Sequence, residues 1–375
     1  MCLGVRRSCH EESYKNNARV TKSAFKDLLE QMDDICTSFY SNKTILLTGG
    51  AGSVGSQFVR ALLNASPRDV LILDNNEGAL YDLEQDLRSN KVSYFVADIR
   101  DKERIEPLFA GVDYVFHLAA LKNVPMCEYN PYEAVKTNII GTHNLIEVCV
   151  RHNVRKVIFT STGKAVRPTT AYGASKLFAE RLISIANTAE ADSGTIFASV
   201  RFGNVLGSRG SVFPLFRRQI EAGGPVTITH EEMIRPRILM FNALKMISHA
   251  CETARGGEVF IFKMKVMRIT DVASVMIELL APKYGHKPNS IGTAIIGVKP
   301  GEKLREELIT ESEQRRAYET EDMFVIPSEM EKLSHVQKYY SDLAARGDIK
   351  PYSPRERVLI TRAEIEDILH NLNYV

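Results

Sequence analysis

The sequence predicts an α/β fold, with a Rossmann-type doubly wound parallel sheet and a smaller α+β substrate-binding portion at the C-terminal side. Short, continuously apolar runs alternate with stretches of helical periodicity from Lys43 onward. A glycine-rich turn follows the first run, and the regular alternation stops after Asn204. Continuous apolar strands joined by helices are typical of parallel sheets covered on both faces.

The individual elements follow from this pattern. Helical periodicity predicts helices that end near Asn64 and span Glu77–Ser89 and Lys102–Phe109. Each predicted strand is a run rich in β-branched, aliphatic or aromatic residues. There are six such runs: Thr44–Thr48, Val70–Leu73, Val92–Ala97, Tyr114–Leu118, Val157–Thr160 and Thr195–Arg201.

The chain divides into four predicted parts: an N-terminal helical extension (1–42), the Rossmann domain (43–203), a mainly substrate-binding portion (204–330) and a tail (331–375). Apolar residues at helical spacing predict an amphipathic helix over 22–40 that covers the following domain or a neighbouring subunit. Its polar face is rich in acidic residues, which disfavours a membrane-surface role. The tail carries two candidate helices, 329–346 and 362–372.

Composition excludes several functional classes. The 375 residues include 48 Lys+Arg and 46 Asp+Glu, a net charge of +2 that does not indicate nucleic-acid binding. The chain has no apolar run of the roughly 18 residues that a membrane span needs. No signal-peptide pattern or metal-ligand spacing is found, and the six cysteines are scattered. We therefore expect a cytoplasmic protein without a bound metal.

The first predicted strand leads into Thr48-Gly49-Gly50-Ala51-Gly52-Ser53-Val54-Gly55, which indicates a dinucleotide site. Gly49 allows a tight turn, Gly52 lets the backbone approach a pyrophosphate, and Gly55 lets helix and strand pack closely. Asp74, at the end of the second strand, is placed to bind the ribose hydroxyls and favours NAD over NADP. Asp98 is expected either to touch the adenine or to cap the helix over 102–109.

Tyr172 and Lys176 form a Tyr-x-x-x-Lys pair after the fifth predicted strand. On a helix these positions share a face, so the ammonium can stabilise the phenolate and bring it toward neutral pH. Thr162 ends that strand, and its hydroxyl is placed to hold a substrate oxygen beside the tyrosine. These three side chains are the predicted centre of catalysis.

With these motifs the chain resembles the extended short-chain dehydrogenases/reductases, and among them the capsular-polysaccharide branch of nucleotide-sugar 4,6-dehydratases. The resemblance covers about 43–330. Besides the glycine turn and the Tyr/Lys pair, it is carried by segments that follow strand ends: 117–125 (HLAALKNVP), 127–131 (CEYNP), 136–138 (KTN), 164–166 (KAV), 201–205 (RFGNV) and 299–308 (KPGEKLREEL).

The resemblance implies NAD-dependent removal of water from UDP-N-acetylglucosamine. Tyr172 would take the O4 proton, Lys164 would remove the C5 proton, and the C6 hydroxyl would leave as water. It also implies a homo-oligomer. The residues implied to hold the cofactor are Gly49, Gly52, Ser53, Val54, Gly55, Asp74, Asp98, Ile99, Ala119 and Lys176; those implied to bind the substrate are Lys122, Asn204, Arg235 and Glu302.

Several of these assignments keep a structural alternative. Asn204 also fits a turn between glycines, and Glu302 fits either the nucleotide ribose or the cap of a helix over 302–309. Asn138 is expected to support the helix that carries Tyr172. Arg237 is expected either to contact a phosphate or to be solvated, and Pro236 replaces the aromatic residue usual in the family.

Gly163 is the main departure from the family pattern, which places at this position an aspartate that protonates the leaving hydroxyl. General acid assistance is worth ~10²–10⁴-fold in rate, so three interpretations stay open. Another group supplies the proton (Glu128, Lys122 or a water); the enzyme is instead a C4 epimerase; or the chain is a non-catalytic NAD-binding paralogue. The last is disfavoured by the intact Tyr172 and Lys176.

Overall fold

The computed structural model describes residues 37–189, 193–208, 211–329, 334–348, 350–351, 358–372 and 374. The helix predicted over 22–40 therefore lies outside the described residues except for its last turn, α1 (Thr37–Tyr40).

The first half of the chain alternates strands and helices, as its apolar pattern predicts. Its strands are β1 (Thr44–Thr48), β2 (Asp69–Asp74), β3 (Val92–Val96), β4 (Tyr114–His117), β5 (Lys156–Thr162) and β6 (Ile196–Phe202). Its helices are α2 (Ser53–Asn64), α3 (Glu77–Leu87), α4 (Lys102–Ile105), α5 (Val124–Tyr129), α6 (Pro131–Ala134), α7 (Gly141–Arg151) and α8 (Ala171–Ala189). All six predicted strands are confirmed within two residues at each end.

The second half is less regular. Its strands are β7 (Asn204–Val205), β8 (Val226–Ile228), β9 (Ile234–Ile238), β10 (Val259–Phe262), β11 (Val266–Arg268), β12 (Thr293–Ile295), β13 (Tyr318–Glu319), β14 (Met323–Ile326) and β15 (Lys350–Pro351). Its helices are α9 (Val212–Glu221), α10 (Met240–Thr253), α11 (Ile269–Leu280), α12 (Glu311–Gln314), α13 (Ser334–Arg346) and α14 (Arg362–Asn371). The predicted tail helix over 362–372 is thus confirmed, and the one predicted over 329–346 is confirmed from Ser334 onward, where the described residues resume. The helix predicted over 302–309 is wrong, because these residues form turns and loops.

Within the described residues, ten strands form one large sheet in the order β15-β13-β14-β10-β6-β5-β4-β1-β2-β3. Strands β3-β2-β1-β4-β5-β6 are parallel, which is the Rossmann order, and β10 extends them in parallel. Strands β14, β13 and β15 are antiparallel additions. The predicted α/β class is confirmed, and segments from both sides of residue 204 share this sheet.

Apolar clusters cover both faces of the large sheet, and a third cluster forms the smaller portion around α9 and α11. Ile365 and Leu369 of α14 are buried in this third cluster, so the tail is part of the smaller portion. The strands β11-β9-β7 form a small sheet beside the end of β6. This arrangement places β9 next to the carboxyl ends of the parallel strands, where ligands bind in such folds.

Candidate active site

The glycine turn after β1 is shaped by close backbone contacts. Gly49 has a φ of +68°, and a side chain there would come within 2.7 Å of the Ala119 backbone nitrogen. A Cβ at Gly55 would lie 2.6 Å from the Gly49 carbonyl oxygen. Gly52, at the N-cap of α2, has no side chain to satisfy the helix N–H groups. The turn therefore offers an uncapped helix N-terminus, with Ser53 and Val54 in its first turn, which suits a pyrophosphate.

Asp74 and Asp98 lie at the ends of neighbouring strands β2 and β3. The Asp74 carboxylate accepts hydrogen bonds from the backbone N–H groups of Ala51 and Asn76, both at 3.1 Å. Arg100 pairs with Asp98 at 2.6 Å. Burial alone would raise the pKa of Asp98, but hydrogen bonds from Arg100 lower it. Asp101, not Asp98, caps α4, so the capping alternative for Asp98 is wrong.

His117 is a buried link that fixes the end of β4. Its Nδ1 lies 2.7 Å from the Thr48 hydroxyl and its Nε2 lies 3.0 Å from the Thr142 hydroxyl. Thr142 donates to the Asn138 carbonyl, so we assign the ring proton to Nε2. Burial, helped by the charge of Lys176, lowers the pKa of His117 to about 3. The ring is neutral and joins β1, β4 and α7.

Tyr172 and Lys176 lie in the first two turns of α8, as their spacing predicts. Burial raises the pKa of the Tyr172 phenol, although a hydrogen bond with Thr162 works against the increase. The Lys176 ammonium lies over the Phe159 ring, 3.9 Å from its centroid, and burial lowers its pKa to about 7. The expectation that Lys176 brings the tyrosine toward neutral pH is therefore not met in this state, since burial acts more strongly on both groups.

Asn138 supports α8, as expected. It is 2% exposed, binds both backbone groups of Leu121 and donates to the Ser175 hydroxyl at 2.9 Å. It lies in a π-helical turn, residues 135–140, a distortion that often occurs at functional sites. Ile99 is held in a similar way, because Asn144 donates to its carbonyl at 3.1 Å.

Lys164 forms an ion pair that the sequence analysis did not predict. Its Nζ lies 2.7 Å from Oε1 of Glu306 and 3.4 Å from Oδ1 of Asn204. The side chain of Lys164 is 25% exposed, whereas that of Glu306 is 5% exposed. The second oxygen of Glu306, Oε2, is buried without a hydrogen-bond partner among the described residues. In the sequence, the only indication that Glu306 belongs to the site is its position in the family segment over 299–308.

Arg235 is buried beneath residues 299–310, which we call the strap. Its guanidinium donates to the carbonyls of Ile234 and Leu304 and pairs with Glu302 at 2.9 Å. Its Nε lies 3.6 Å from Glu306. Glu302 is thus a partner of Arg235, and its alternative role as a helix cap is wrong.

Arg237 lies two residues further along β9. Its side chain is half-buried, and its Nε is buried without a partner among the described residues, which fits a phosphate contact better than a fully solvated side chain. Burial lowers its pKa to about 10. Arg235, Arg237 and Lys164 outnumber Glu302 and Glu306, and this excess of positive charge suits a ligand with a diphosphate.

The strap is fastened to the loop after β5. Lys303 donates to the carbonyls of Val166 and Arg167, and Thr169 donates to the Gly301 carbonyl at 2.6 Å. A Cβ at Gly163 would lie 2.9 Å from Leu308 Cδ2 and 3.2 Å from the Glu307 carbonyl oxygen. The strap therefore fills the space where the family aspartate would begin.

The two side chains proposed as substitutes for that aspartate lie on the exposed segment after β4. Lys122 and Glu128 are both exposed. Glu128 accepts a hydrogen bond from the Ala171 backbone N–H at 2.7 Å, which caps the start of α8. Glu128 therefore has a structural role at the helix that carries Tyr172.

No described helix has the length and apolar character to cross a membrane. No cluster of three or more potential metal ligands occurs in the same residues. The cytoplasmic location and the self-association stay predictions.

Comparison with known proteins identifies close relatives. Residues 45–328 match the family described as polysaccharide biosynthesis protein. A protein of Methanocaldococcus jannaschii named as an uncharacterized membrane protein is 48% identical over 90% of this chain and 98% of its own length. The inverting UDP-N-acetylglucosamine 4,6-dehydratase of Campylobacter jejuni is 39% identical over 76% of this chain and 83% of its own.

Two further comparisons bear on the reaction and the fold. The UDP-glucose 4-epimerase of Rickettsia typhi is 32% identical over 90% of this chain and 98% of its own length. The X-ray structure of Pen from Bacillus thuringiensis matches with a TM-score of 0.80 and 39% identity, covering 89% of this chain and 98% of that one.

Proposed function

The chain belongs to the polysaccharide biosynthesis family of extended short-chain dehydrogenases/reductases, and from this premise we propose that it catalyses NAD-dependent 4,6-dehydration of UDP-N-acetylglucosamine. The observation that carries the proposal is the clustering of Tyr172, Thr162, Lys164 and Glu306. A dehydratase must act on three neighbouring carbons, C4, C5 and C6. A phenol beside a paired ammonium and carboxylate provides a group for each of the three protons involved.

The glycine turn, Asp74 and the uncapped start of α2 fit NAD. Asp74 retains lone pairs on both oxygens for the ribose hydroxyls, and its negative charge disfavours the extra phosphate of NADP. Asp98, Ile99 and Ala119 line the ends of the adjacent strands. When bound, NAD supplies the hydride acceptor for C4 and returns the hydride to C6.

The residues of this chain then have distinct tasks. Tyr172 takes the proton of the C4 hydroxyl while Thr162 orients it. The resulting ketone acidifies the C5 proton, and Lys164 and Glu306 are the groups placed to exchange protons at C5 and at the C6 hydroxyl. Arg235 and Arg237 hold the diphosphate, Asn204 and Lys122 contact the substrate, and Glu302 accepts from the nucleotide ribose once Arg235 turns toward the diphosphate.

A second function, C4 epimerisation, is favoured by Gly163. Epimerisation needs only Tyr172, Thr162 and the cofactor, and so does not need the missing acid. The relative from Rickettsia typhi is named as an epimerase and aligns over most of this chain. The Lys164–Glu306 pair favours dehydration, because epimerisation at C4 leaves C5 and C6 unchanged.

The test is incubation of the protein with NAD and UDP-N-acetylglucosamine in deuterated water. Dehydration predicts loss of one water by mass and a new C6 methyl signal by NMR, with deuterium at C5. Epimerisation predicts a product of unchanged mass with the galacto configuration and no deuterium. Tyr172→Phe is the matched variant, and we expect it to lower turnover by ~10²–10⁴-fold in either case. If it kept full turnover, the proposed chemistry at C4 would be wrong.

A further inference from the structure

The missing aspartate leaves the elimination step without its usual proton donor. The group that replaces it must lie near Tyr172, because C4, C5 and C6 are consecutive atoms. Glu128 is bound to the start of α8. Lys164 lies against the residue that follows Tyr172, because a Cβ at Gly173 would come within 2.4 Å of the Lys164 carbonyl oxygen, and Glu306 pairs with the Lys164 ammonium at 2.7 Å. The structure thus places the Lys164–Glu306 ion pair beside the start of α8, whereas the Glu128 carboxylate is engaged by the Ala171 backbone N–H.

The hydrogen bond of this pair fits acid and base roles opposite to those that the family resemblance implies. In that assignment Lys164 is the base, which requires a neutral amine. The ammonium of Lys164 instead donates to Glu306 at 2.7 Å. An ammonium has only donors and an ionised carboxylate has only acceptors. With Lys164 as the donor and Glu306 as the acceptor, the geometry of the pair fits Lys164 as an acid and Glu306 as a base.

The surroundings of Glu306 strengthen this interpretation. Burial alone would raise the pKa of Glu306, but Lys164, Arg235 and Arg237 together lower it and keep the group ionised. Its Oε2 is removed from water and lacks a hydrogen-bond partner among the described residues. Such an oxygen has free lone pairs and loses little on accepting a proton. A diphosphate bound to the two arginines would weaken their electrostatic attraction to Glu306 and so raise the pKa of its carboxyl group.

On the basis of the proposed dehydration, we propose that Glu306 is the base that removes the C5 proton and that Lys164 is the acid that protonates the C6 hydroxyl. The electrons of the C5–H bond form the C5–C6 double bond, and the C6–O bond breaks as Lys164 delivers its proton, so one water leaves. Glu306 is then a carboxylic acid and Lys164 a neutral amine. The proton crosses the hydrogen bond between them and restores the pair, so the elimination needs no other acid. When the hydride returns to C6, C5 takes a proton that has exchanged with solvent.

The experiment separates proton removal from loss of water. The NAD-loaded enzyme is given UDP-N-acetylglucosamine in deuterated water, and C5 deuterium in the recovered sugar, the C6 methyl signal and the absorbance of the reduced cofactor are followed. Glu306→Gln should lose C5 exchange and the methyl product by ~10²-fold or more, while oxidation at C4 still reduces the cofactor. Lys164→Met should lose the methyl product to the same extent but retain C5 exchange.

Glu307→Gln is the matched control, because Glu307 is the next residue of the strap and its half-exposed side chain pairs with Arg167 at 3.7 Å. We expect this variant to behave as the wild type in all three signals. Retention of C5 exchange in Glu306→Gln would overturn the proposal, even if the wild type dehydrates as proposed. So would loss of cofactor reduction in both pair variants, because it would show that the pair only holds the site together. A wild type that forms no methyl product would overturn the proposed dehydration itself.

Discussion

Burial sets the protonation of the side chains around Tyr172. It raises the pKa of the tyrosine, lowers that of Lys176 to about 7 and lowers that of His117 to about 3. Burial therefore favours the uncharged form of the phenol, the ammonium and the imidazole in the resting protein. The i, i+4 spacing of Tyr172 and Lys176 indicates their shared helix face but carries no information about desolvation.

We predict that His117 makes the fold sensitive to acid. Its folded pKa of about 3 lies below the usual 6.5, so the unfolded chain binds the proton first and stability is lost as pH falls below about 6.5. Between about pH 7.5 and pH 5 the wild type should lose about 2 kcal/mol more unfolding free energy than His117→Gln. Denaturant titration at both pH values measures this. His143 is exposed, so the control variant His143→Gln should lose as much unfolding free energy between the two pH values as the wild type. Equal losses in all three proteins would contradict the prediction.

We predict that restoring the family aspartate at Gly163 does not accelerate dehydration. A Cβ at this position meets Leu308 and the Glu307 carbonyl, so Gly163→Ala and Gly163→Asp should both lower kcat/KM by a similar factor, roughly tenfold or less. Kinetics of the two variants with the nucleotide sugar provide the measurement. If Gly163→Asp were several-fold faster than Gly163→Ala, a missing acid would limit the wild type and the assignment of Lys164 as the acid would be wrong.

At the scale of elements, the strap joins the smaller portion to the Rossmann domain over the active site. It supplies Glu302 and Glu306 to the β9 arginines and to Lys164, and it is anchored on the loop after β5 by Lys303. The strap has no regular secondary structure of its own. The geometry of these contacts therefore depends on the bonds that anchor the two ends of the strap.

We therefore expect Gly301→Ala to weaken substrate binding. Gly301 has a φ of +73°, and its Cβ would lie 2.4 Å from the Thr170 side chain and 2.8 Å from the Thr169 carbonyl oxygen. Gly297→Ala is the matched control, because Gly297 has a similar φ of +85° but open space around it. Both variants carry backbone strain of about 1–2 kcal/mol, and only Gly301→Ala should raise KM, by about tenfold. Equal KM values in steady-state assays would show that the anchor does not position the strap.

Arg201, on β6, connects that strand to α8 and to the strap. Buried with 1% exposure, it pairs with Glu180 and with Glu313 at 2.9 Å and donates to the Leu308 carbonyl at 2.7 Å. Burial alone would raise the pKa of Glu313, but Arg201 lowers it to about 2. The network holds the strap against the helix that carries Tyr172 and Lys176.

Arg201→Met is expected to destabilise the protein by about 3–5 kcal/mol, because it leaves two buried carboxylates without their cation. Thermal or denaturant unfolding measures the loss. Arg316→Met serves as the comparison, because its partner Glu329 is 57% exposed. Loss of this ion pair should lower the free energy of unfolding by less than about 1 kcal/mol. A loss below about 1 kcal/mol in Arg201→Met would show that the buried network contributes no net stability.

At the scale of the whole molecule, the parts that the sequence predicts well are those with local causes. The strands of the parallel sheet, the glycine turn and the Tyr/Lys helix depend on residues within a few positions of each other. The Lys164–Glu306 pair joins residues 142 positions apart, and the strap that brings them together has no periodic pattern. Spacing therefore predicts that Tyr172 and Thr162 lie together, which the structure shows, but does not reveal the partner of Lys164.

Exposed apolar side chains on the outer surface of α5, α6 and α8 are the structural basis for the expected self-association. Tyr129 is 80% exposed, Tyr132 69% and Phe178 57%, while Ile185 lies seven residues after Phe178 on the same face of α8. Helices α5 and α6 pack on α8, so these side chains belong to one surface. An apolar surface of this kind typically marks a contact with another protein.

We predict that this surface joins two copies of the chain and that Phe178→Glu prevents the contact. A charge at this position would have to be desolvated in the interface, which costs several kcal/mol, enough to dissociate a dimer at micromolar concentration. Light scattering after size exclusion measures the mass. Tyr81→Glu, with Tyr81 60% exposed on the distant helix α3, should retain the wild-type mass. A monomeric wild type would contradict a dimer formed through α8, and so would an unchanged mass in Phe178→Glu. The first turn of α8 carries Tyr172, so this interface would lie beside the active site.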